Sequence, residues 1–401
     1  MQISTPHDVR NYIAREAEAT IRTLMAGFPI VVITGPRQSG KSTLARRIFH
    51  DKPYISLEDP DDDEFARRDP RGFLEQFKNG GVLDEIQRRP ELLSYLQALV
   101  DLDGRMGLFI LTGSQQFGLM GRVAQSLAGR VGMVELLPFS LDELAAADRG
   151  LDTPEDFLFT GLYPPVHDRN ISPTLWYPNY IRTYVERDVR QLINIGDLSS
   201  FRSFIYLCAG RGGQLLNLSS LANDCSIAPN TAKKWLSVLE ASYIVYLLRP
   251  HHKNFNKRVI KTPKLYFFDC GLAARLLGIE KKEQLVNHAN RGALFENLII
   301  MELLKKRFNK GLPSNLYFWR DRTGNEIDVL LDRAGRLVPV EIKSGRTIAG
   351  TYFTGLSRWA ELAGKEADRP YLVYAGRQKQ KRGEAMVLPW HKAASTIMRD
   401  S

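Results

Sequence analysis

A glycine-rich segment at residues 35–42 constrains the fold of this chain more than any other feature. The segment, GPRQSGKS, lies between the apolar run FPIVVIT and the amphipathic run KSTLARRIF. A strand, such a loop and a helix in this order form a phosphate-binding loop, because backbone N–H groups and the helix N-terminus face the phosphates. We expect the phosphates of ATP to be held by Gly35, Pro36, Arg37, Gln38, Ser39, Gly40, Lys41, Ser42 and Thr43.

Residues in and near this loop are predicted to carry the chemistry of ATP hydrolysis. Lys41 would neutralise the β- and γ-phosphates, and the Ser42 hydroxyl would coordinate Mg²⁺. In the segment GVLDEIQ, Asp84 would hold the Mg²⁺ directly or through water, and Glu85 would polarise the attacking water. The alternative is an exposed Asp-Glu pair, because glycines stand before it where larger apolar residues are expected. ATP and Mg²⁺ are therefore the expected cofactors.

Later segments supply further candidate residues for hydrolysis. The segment LTGSQ ends an apolar run, and Ser114, or Thr112 as the alternative, would sense the γ-phosphate or orient the attacking water. The helical pattern GLMGRVAQSLAGR leads to Arg130, which in a ring of subunits would reach the nucleotide of a neighbour. Arg122 competes for that role, and a plain surface salt bridge is the alternative for Arg130.

The hydrophobic pattern up to about residue 145 predicts an α/β fold. Short apolar runs alternate with amphipathic segments, which favours a parallel sheet wrapped by helices. The predicted strands are FPIVVITG and residues 54–57, 81–84, 107–114 and 132–138. Helical patterns dominate residues 150–205, and short helices with a strand pair follow to about residue 270. After residue 290 a helix precedes strands at 316–320, 326–332 and 337–343.

The order of several short segments resembles that of a known family. GPRQSGKST, YISLEDP, LDEIQ, LTGSQ, GRVGMVELLPFSLDEL and GLYPPV follow one another as in prokaryotic AAA-type P-loop ATPases fused to a C-terminal domain long catalogued as of unknown function. The resemblance covers nearly the whole chain. It implies an AAA-like core that hydrolyses ATP, and it implies little about the biological role.

Residues 213–264 have the pattern of a helix–turn–helix followed by a wing. Leu218 and Leu221 would anchor a short helix, and a turn with Pro229 would precede a second helix that exposes lysines, where a recognition helix meets DNA. Residues 249–264 contain no acid, which suits a hairpin wing on the phosphate backbone. The candidate DNA contacts are Lys233, Lys234, Lys253, Lys257, Arg258 and Lys261, and the same stretch also contains Arg249 and Lys264. The alternative is a winged helix that serves only as a protein–protein module.

An acidic constellation lies in the C-terminal part of the chain. Glu296 is near the start of an amphipathic helix, and Asp328 lies in a β-type run. Glu341 and Lys343 lie on one face of the next strand, because side chains alternate with period two. Phosphodiester hydrolysis uses such carboxylates to bind Mg²⁺ and such a lysine to stabilise the attacking hydroxide or the developing charge.

This ordered set resembles the PD-(D/E)xK nuclease superfamily. The resemblance implies a restriction-endonuclease-like domain in which Glu296, Asp328 and Glu341 hold the metal ion and Asp328, Glu341 and Lys343 are catalytic. Two alternatives remain open. In the first alternative, the set is a structural ion-pair cluster. In the second, it belongs to a nuclease-like fold that is retained for binding without cleavage.

The amino-acid composition limits the classes of protein to which this chain can belong. The chain has 401 residues, with 55 Lys+Arg and 45 Asp+Glu, and its net charge of +10 allows nucleic acid as a partner. Cys208, Cys225 and Cys270 share no metal-ligand spacing, which argues against a zinc site or a disulfide scaffold and favours a reducing compartment. No run of about 18 apolar residues and no signal peptide occurs, so we expect a cytoplasmic protein without a membrane partner.

These observations predict a three-part α/β protein. Residues 1–148 form an AAA-like ATPase domain, 149–285 a helical lid and winged-helix domain, and 286–401 a PD-(D/E)xK-like domain. We expect an ATP-hydrolysing DNA-binding protein that remodels or processes branched or broken duplexes, assembled as a homo-oligomer such as a hexameric ring. The alternative is a nucleotide-controlled switch in signalling or defence whose C-terminal domain only binds a partner. A small-molecule kinase is disfavoured, because no acceptor pocket is suggested after the phosphate loop.

Overall fold

The computed structural model describes residues 12–114, 126–188, 197–251 and 260–399. The described residues form two compact units. The first unit lies within residues 1–150, 162–172 and 309–311, and the second lies within residues 151–161, 173–308 and 312–401. Within the described ranges, no helix is both long enough and apolar enough to cross a membrane. The predicted domain boundaries at residues 148 and 285 stay predictions.

The first unit contains the predicted parallel sheet. Its strands are β1 (Ile30–Thr34), β2 (Tyr54–Ser56), β3 (Gly81–Asp84), β4 (Phe109–Gly113) and β5 (Val131–Glu135). The five strands are parallel and lie in the order β2-β3-β4-β1-β5. The helices are α1 (Ala17–Gly27), α2 (Lys41–Ile48), α3 (Pro60–Arg68), α4 (Pro70–Glu75), α5 (Leu92–Asp103) and α6 (Leu141–Ala146), followed by a short helix at Pro164–Asp168.

Apolar side chains cover both faces of this sheet. Val32 packs with Leu83 and Leu111 on one face, whereas Ile33 and Val82 pack on the other face. All positions of β1 are buried, which explains its continuous apolar sequence, since a parallel sheet is covered on both sides. The carboxyl ends of β1, β3 and β4 lie together at one edge of the sheet.

Gly80 and Gly81, at the start of β3, lie against neighbouring backbone. Gly80 has a φ of +79°, and a Cβ atom on it would lie 1.9 Å from Leu108 O. A Cβ atom on Gly81 would lie 2.7 Å from Pro53 O. The strand therefore lacks larger apolar residues at these positions because no space exists for them. The weak apolar pattern before Asp84 has this steric cause, and Asp84 itself is buried.

Gly80→Ala is expected to lower the free energy of unfolding of the first unit by about 3 kcal/mol, because a clash with a backbone carbonyl adds to a left-handed φ. Gly104→Ala is the matched control. Gly104 has a φ of +73° but open space around its Cβ position, so a loss of about 1 kcal/mol is expected. Urea denaturation followed by far-ultraviolet circular dichroism measures both variants. If both variants lose the same free energy of unfolding, the predicted clash with Leu108 O does not destabilise the first unit.

The second unit contains the middle and C-terminal segments. Its helices are α7 (Pro154–Thr160), α8 (Pro173–Tyr180), α9 (Leu198–Gly210), α10 (Leu218–Asp224), α11 (Pro229–Ala241), α12 (Cys270–Leu276), α13 (Arg291–Phe308), α14 (Thr354–Ala363) and α15 (Trp390–Ile397). Its strands are β6 (Val245–Leu248), β7 (Lys264–Phe267), β8 (Leu316–Arg320), β9 (Glu326–Arg333), β10 (Arg336–Lys343), β11 (Tyr371–Tyr374), β12 (Gln380–Arg382) and β13 (Ala385–Pro389).

The two helices and the strand pair of the middle segment lie where the sequence predicts them. Asn217 caps α10 through its side chain, and Pro229 begins α11. β6 and β7 pair antiparallel, and Leu215 forms an isolated bridge with Lys264 on the other side of β7. The connection between β6 and β7 also pairs with the C-terminal sheet, since His251 N donates to Phe318 O at 2.8 Å.

The C-terminal segment forms a mixed sheet of six strands in the order β12-β13-β11-β10-β9-β8. β8, β9 and β10 are consecutive antiparallel neighbours, and β11 follows α14 and pairs parallel to β10. The predicted strands at 316–320, 326–332 and 337–343 are confirmed within one residue at each end. This topology brings the N-terminal third of α13 close to the start of β9 and the end of β10.

Candidate functional site

The loop between β1 and α2 has the backbone of a phosphate cradle. Gly35, Gln38 and Gly40 have φ values of +144°, +64° and +93°. A Cβ atom on Gly35 would lie 2.2 Å from Leu136 O, so only glycine fits there. Gly40 is the N-cap residue of α2, and no side chain caps this helix. The first N–H groups of α2 lack intrahelical partners and are available to an anion.

Lys41 is held inside this loop. Its Nζ donates to Gly35 O at 3.1 Å and to Pro36 O at 2.8 Å. Burial lowers the pKa of Lys41 to about 8, although the carboxylates of Glu85 and Asp84 act in the opposite direction. The ammonium group therefore lies among carbonyl oxygens that the phosphate oxygens of a nucleotide can replace.

Asp84, at the end of β3, accepts hydrogen bonds from three hydroxyl groups. Ser42 Oγ lies 2.9 Å from both Oδ1 and Oδ2. Tyr54 OH donates to Oδ2 at 2.5 Å, and Thr112 Oγ1 donates to Oδ1. Mg²⁺ prefers oxygen ligands and is usually bound through one or two carboxylates together with substrate phosphates. Ser42 and Asp84 thus fit the magnesium ion of a P-loop site.

Glu85 lies beside this site in a left-handed backbone conformation, with a φ of +57°. Its N–H donates to Thr112 Oγ1 at 3.3 Å. Ser114 Oγ donates to Glu85 Oε2 at 3.1 Å, and Gln87 Nε2 donates to the same oxygen. The structure therefore brings the predicted water-polarising acid and the predicted Ser114 together at the carboxyl edge of the sheet.

Arg15, just before α1, contacts the phosphate-binding loop. Its Nη1 donates to Ser39 O at 2.7 Å, and its Nη2 donates to Leu137 O at 2.6 Å. Its Nε forms an ion pair with Glu143 Oε1 at 3.1 Å, and these two side chains are only 3% and 1% exposed. Glu143 and Ser140 form the capping box of α6. Arg15 thereby joins the loop to the segment that follows β5.

Arg130 forms a surface ion pair within the first unit. Its Nε and Nη2 lie 2.5 and 2.8 Å from the two carboxylate oxygens of Asp101 on α5. The hydrogen bond from Arg130 lowers the pKa of Asp101. The role of Arg130 across a subunit boundary stays a prediction, and Arg122 lies outside the described residues.

The predicted C-terminal constellation comes together on α13, β9 and β10, and we call it the carboxylate cluster (Glu296, Glu326, Asp328, Glu341). Lys343 Nζ lies 2.5 Å from Glu341 Oε1 and 3.7 Å from Asp328 Oδ2. Burial, and next the nearby Asp328 carboxylate, raises the pKa of Glu296 to about 7 and that of Glu341 to about 8. Glu326, which the sequence did not single out, joins the cluster through Lys264.

Lys264 and Tyr266 extend from β7 into the carboxylate cluster. Lys264 Nζ lies 3.2 Å from Glu296 Oε1 and contacts Glu326 Oε1. Tyr266 OH donates to the same Glu296 oxygen. Lys264 was expected on the surface of a basic wing, and that expectation is wrong, because the side chain is only 3% exposed. The period of two along β7 directs both side chains to α13 and β9.

The metal ligands implied by the nuclease resemblance do not fit a metal ion in this arrangement. Glu296 Oε1 is occupied by Lys264 and Tyr266, and Glu341 Oε1 is paired with Lys343. Glu341 Oε2 is buried without a hydrogen-bond partner, so Lys343 engages only one of the two oxygens of that carboxylate. In the described parts of the chain, no group of three or more His, Cys, Asp or Glu side chains is arranged to hold a metal ion.

The predicted DNA contacts are only partly within the described residues. Lys233 and Lys234 are exposed on α11, and Lys261 is exposed next to the strand pair. Arg249 is paired with Glu240 at 3.5 Å. Lys253, Lys257 and Arg258 lie outside the described residues. The structure therefore places one pair of free basic side chains on the second helix of the predicted helix–turn–helix.

Family models match three consecutive parts of the chain. A model described as an AAA domain matches residues 27–145. Two models described as domains of unknown function, DUF8612 and DUF4143, match residues 151–283 and 291–393. The first unit is therefore an AAA-type P-loop ATPase domain, as the resemblance implies. DUF4143 covers the carboxylate cluster, and its description does not identify a nuclease.

The uncharacterized protein Rv2008c of Mycobacterium tuberculosis (strain ATCC 25618 / H37Rv) is 32% identical over 370 residues, which cover 91% of this chain and 80% of that protein. The chain belongs to the Rv2008c family. Another family member, Mb2031c of Mycobacterium bovis, has the same identity and coverage. An uncharacterized protein of Haemophilus influenzae is 24% identical over 350 residues, which cover 78% of this chain and 82% of that protein.

Solved structures with partial similarity to this Rv2008c family member include two nucleotide-related proteins. The Walker-type ATPase PABY2304 of Pyrococcus abyssi has a TM-score of 0.45 and 16% identity, and the match covers 67% of this chain and 99% of that chain. AMPPCP-bound DnaA from Aquifex aeolicus has a TM-score of 0.29 and 14% identity, with 56% and 85% covered. Both TM-scores are low. The AAA assignment therefore rests on the family model for residues 27–145, and the family membership rests on the relative from Mycobacterium tuberculosis.

Some residues of the AAA domain and of the carboxylate cluster were not predicted. Tyr54 begins a predicted strand, but no sequence signal pointed to its contact with Asp84, because the neighbour of that strand could not be predicted. Gln87 lies in the quoted segment LDEIQ but was given no role. Lys264 and Tyr266 are two residues apart in a strand-like run, and this spacing indicates that their side chains lie on the same face.

Proposed function

We propose that this protein couples ATP hydrolysis in its AAA domain to the handling of DNA bound by its second unit. The observation that carries the proposal is the set of oxygen atoms around Asp84. Ser42 lies within hydrogen-bond distance of both carboxylate oxygens, and Glu85 is held beside them by Ser114. This arrangement suits a bound nucleotide with its metal ion and a positioned water.

Each residue of this site has a separate role in ATP hydrolysis. Lys41 binds the β- and γ-phosphates in place of the loop carbonyls to which it now donates. Ser42 and Asp84 hold the Mg²⁺ ion, which when bound supplies positive charge to the phosphate oxygens. Glu85 polarises the attacking water and accepts its proton, and Ser114 fixes the orientation of the Glu85 carboxylate.

The DNA-binding part of the proposal is supported by α11. Lys233 and Lys234 are adjacent and exposed, and within the described residues neither is paired with an acid. The opposite side of the helix is fixed in the core by Trp235 and Leu239. A rigid helix that presents two free lysines is suited to contacts with the phosphate backbone.

The ATPase rate with and without DNA tests the coupling. We expect faster turnover with duplex or four-way DNA than without DNA, because DNA on the second unit is expected to favour the hydrolysing state. The rate is measured on the full chain at one fixed salt concentration, since phosphate contacts depend strongly on salt. Turnover that is indifferent to single-stranded, duplex and four-way DNA would exclude a DNA-driven ATPase.

Lys233→Ala/Lys234→Ala is expected to weaken DNA binding and to reduce the slope of log K against log salt by about 2, because two phosphate contacts are lost. Lys310→Ala/Lys365→Ala changes the net charge equally at exposed positions outside α11 and serves as the control. Fluorescence anisotropy at several salt concentrations measures the slope. Equal slopes for both double variants would contradict a DNA contact on α11.

Cleavage of DNA by the carboxylate cluster is not part of this proposal, because Glu296 is engaged by Lys264 and Tyr266. The same observation favours the binding role over the cutting role of the C-terminal segment. It therefore also supports the second candidate, a nucleotide-controlled switch whose C-terminal domain binds a partner. Indifference of the ATPase rate to DNA, together with an intact ATPase, would favour this second candidate.

A further inference from the structure

Lys264 is a buried lysine whose position is fixed from several sides. Its backbone pairs with Leu248 on β6 and forms a bridge with Leu215. Its Nζ lies 5.6 Å from the centroid of the Phe318 ring and 3.2 Å from Glu296 Oε1. The Lys264 side chain is buried, whereas Lys261 of the same basic stretch is exposed.

The helix that carries Glu296 is fixed against the strand that carries Lys264. The side chain of Asn297, the next residue of α13, accepts from Phe267 N at 2.7 Å and donates to Phe267 O at 2.9 Å. Both atoms of the amide thus bind one residue of β7. The contact between Lys264 and Glu296 is therefore built into the packing and does not depend on a flexible surface side chain.

The carboxylate cluster needs cations, since four buried or half-buried acids repel one another and lose hydration. Lys343 supplies one positive charge at the end formed by Glu341 and Asp328. Lys264 supplies another at the end formed by Glu296 and Glu326. Arg320 pairs with the second Glu326 oxygen at 3.0 Å. The protein's own side chains thereby balance most of the negative charge.

We propose that the Lys264 ammonium is a built-in cation that takes the place of a divalent metal ion at the Glu296 end of the carboxylate cluster. A nuclease site of the kind the sequence suggests needs the same carboxylates for Mg²⁺. In this chain β7 brings Lys264 to Glu296, one of those carboxylates, and to Glu326 beside it, and Tyr266 donates to the same Glu296 oxygen. The cluster is thus a structural joint that needs no metal. This inference is independent of the proposed ATPase and DNA-binding roles.

A Mn²⁺ titration of the full chain without nucleotide tests this inference. All proteins carry Asp84→Asn, which removes the metal ligand of the AAA domain, and the free Mn²⁺ signal is followed by electron paramagnetic resonance. We expect no saturable site up to about 1 mM when Lys264 is present. Lys264→Met is expected to gain one site with at least about tenfold higher affinity, because a competing positive charge is removed. Adding Glu296→Gln should abolish the gained site.

Lys264→Arg and Lys264→Gln complete the experiment. The Lys264→Arg variant keeps the positive charge and should bind no Mn²⁺. The Lys264→Gln variant removes the charge but keeps a polar side chain, and it replaces Lys264→Met in the titration if that variant fails to fold. A saturable site in the parent that Asp328→Asn or Glu296→Gln removes would overturn the inference. Folded neutral variants that bind Mn²⁺ no better than the parent would overturn it as well.

Discussion

Glu85→Gln is expected to lower the kcat of ATP hydrolysis by about 10²- to 10⁴-fold, because the amide cannot accept the proton of the attacking water. Binding of ATP should change little, since Lys41, Ser42 and Asp84 are intact. Steady-state phosphate release measures kcat, and the fluorescence of a labelled nucleotide measures binding. The amide still accepts the hydrogen bond of Ser114 through its oxygen, so the substitution tests the charge more than the position of the group.

Glu75→Gln is the matched control for this substitution. Glu75 is exposed at the end of α4, and the change removes the same charge from the same unit. Its kcat should equal that of the parent. If Glu85→Gln hydrolyses ATP as fast as Glu75→Gln, another group polarises the water and the role assigned to Glu85 is wrong.

Arg15→Met is expected to lower the free energy of unfolding of the first unit by about 3 kcal/mol or more, because it leaves the buried Glu143 carboxylate without its cation. It also removes the hydrogen bond to Ser39 O. The KM for ATP should therefore rise, since that bond fixes one side of the phosphate-binding loop. Urea denaturation measures the stability of the AAA domain, and ATPase assays below the transition measure KM.

Arg22→Met is the control for Arg15→Met. Arg22 pairs with Glu18 at 2.8 Å on the surface, and its side chain is 55% exposed. Surface pairs of this kind contribute about 0–1 kcal/mol, so little change is expected. The double variant Arg15→Met/Glu143→Gln should recover part of the lost stability, because it also removes the unpaired charge. Equal stability of the two arginine variants would show that the Arg15–Glu143 pair is unimportant.

The sequence predicted much of the nucleotide site because this site depends on short, contiguous patterns. The loop at residues 35–42 and the pair Asp84-Glu85 each follow an apolar run, and the carboxyl ends of parallel strands meet at one edge of the sheet. The α/β class and the strand positions could therefore be predicted. The order of the strands could not, because the pairing of β1 with both β4 and β5 depends on contacts between distant segments.

The contacts that could not be predicted from the sequence join residues that are far apart along the chain. Arg15 and Glu143 are 128 positions apart, and Lys264 and Glu296 are 32 positions apart. A lysine in a stretch without acids suggests an exposed side chain, because lysine is almost never buried unless it is paired. The paired acids of Lys264 lie in a different segment, and only the packing of β7 against α13 brings them together.

The link between the β6–β7 connection and β8 has a consequence for self-association. An edge strand with unpaired backbone groups can recruit a second chain. Here Phe318 N donates to Arg249 O at 3.1 Å, and His251 N and Ile260 N donate to carbonyl groups of β8. The opposite edge is β12, a strand of three residues that contains two basic side chains. Both edges are thus protected, so a second copy of this chain is not expected to extend this sheet.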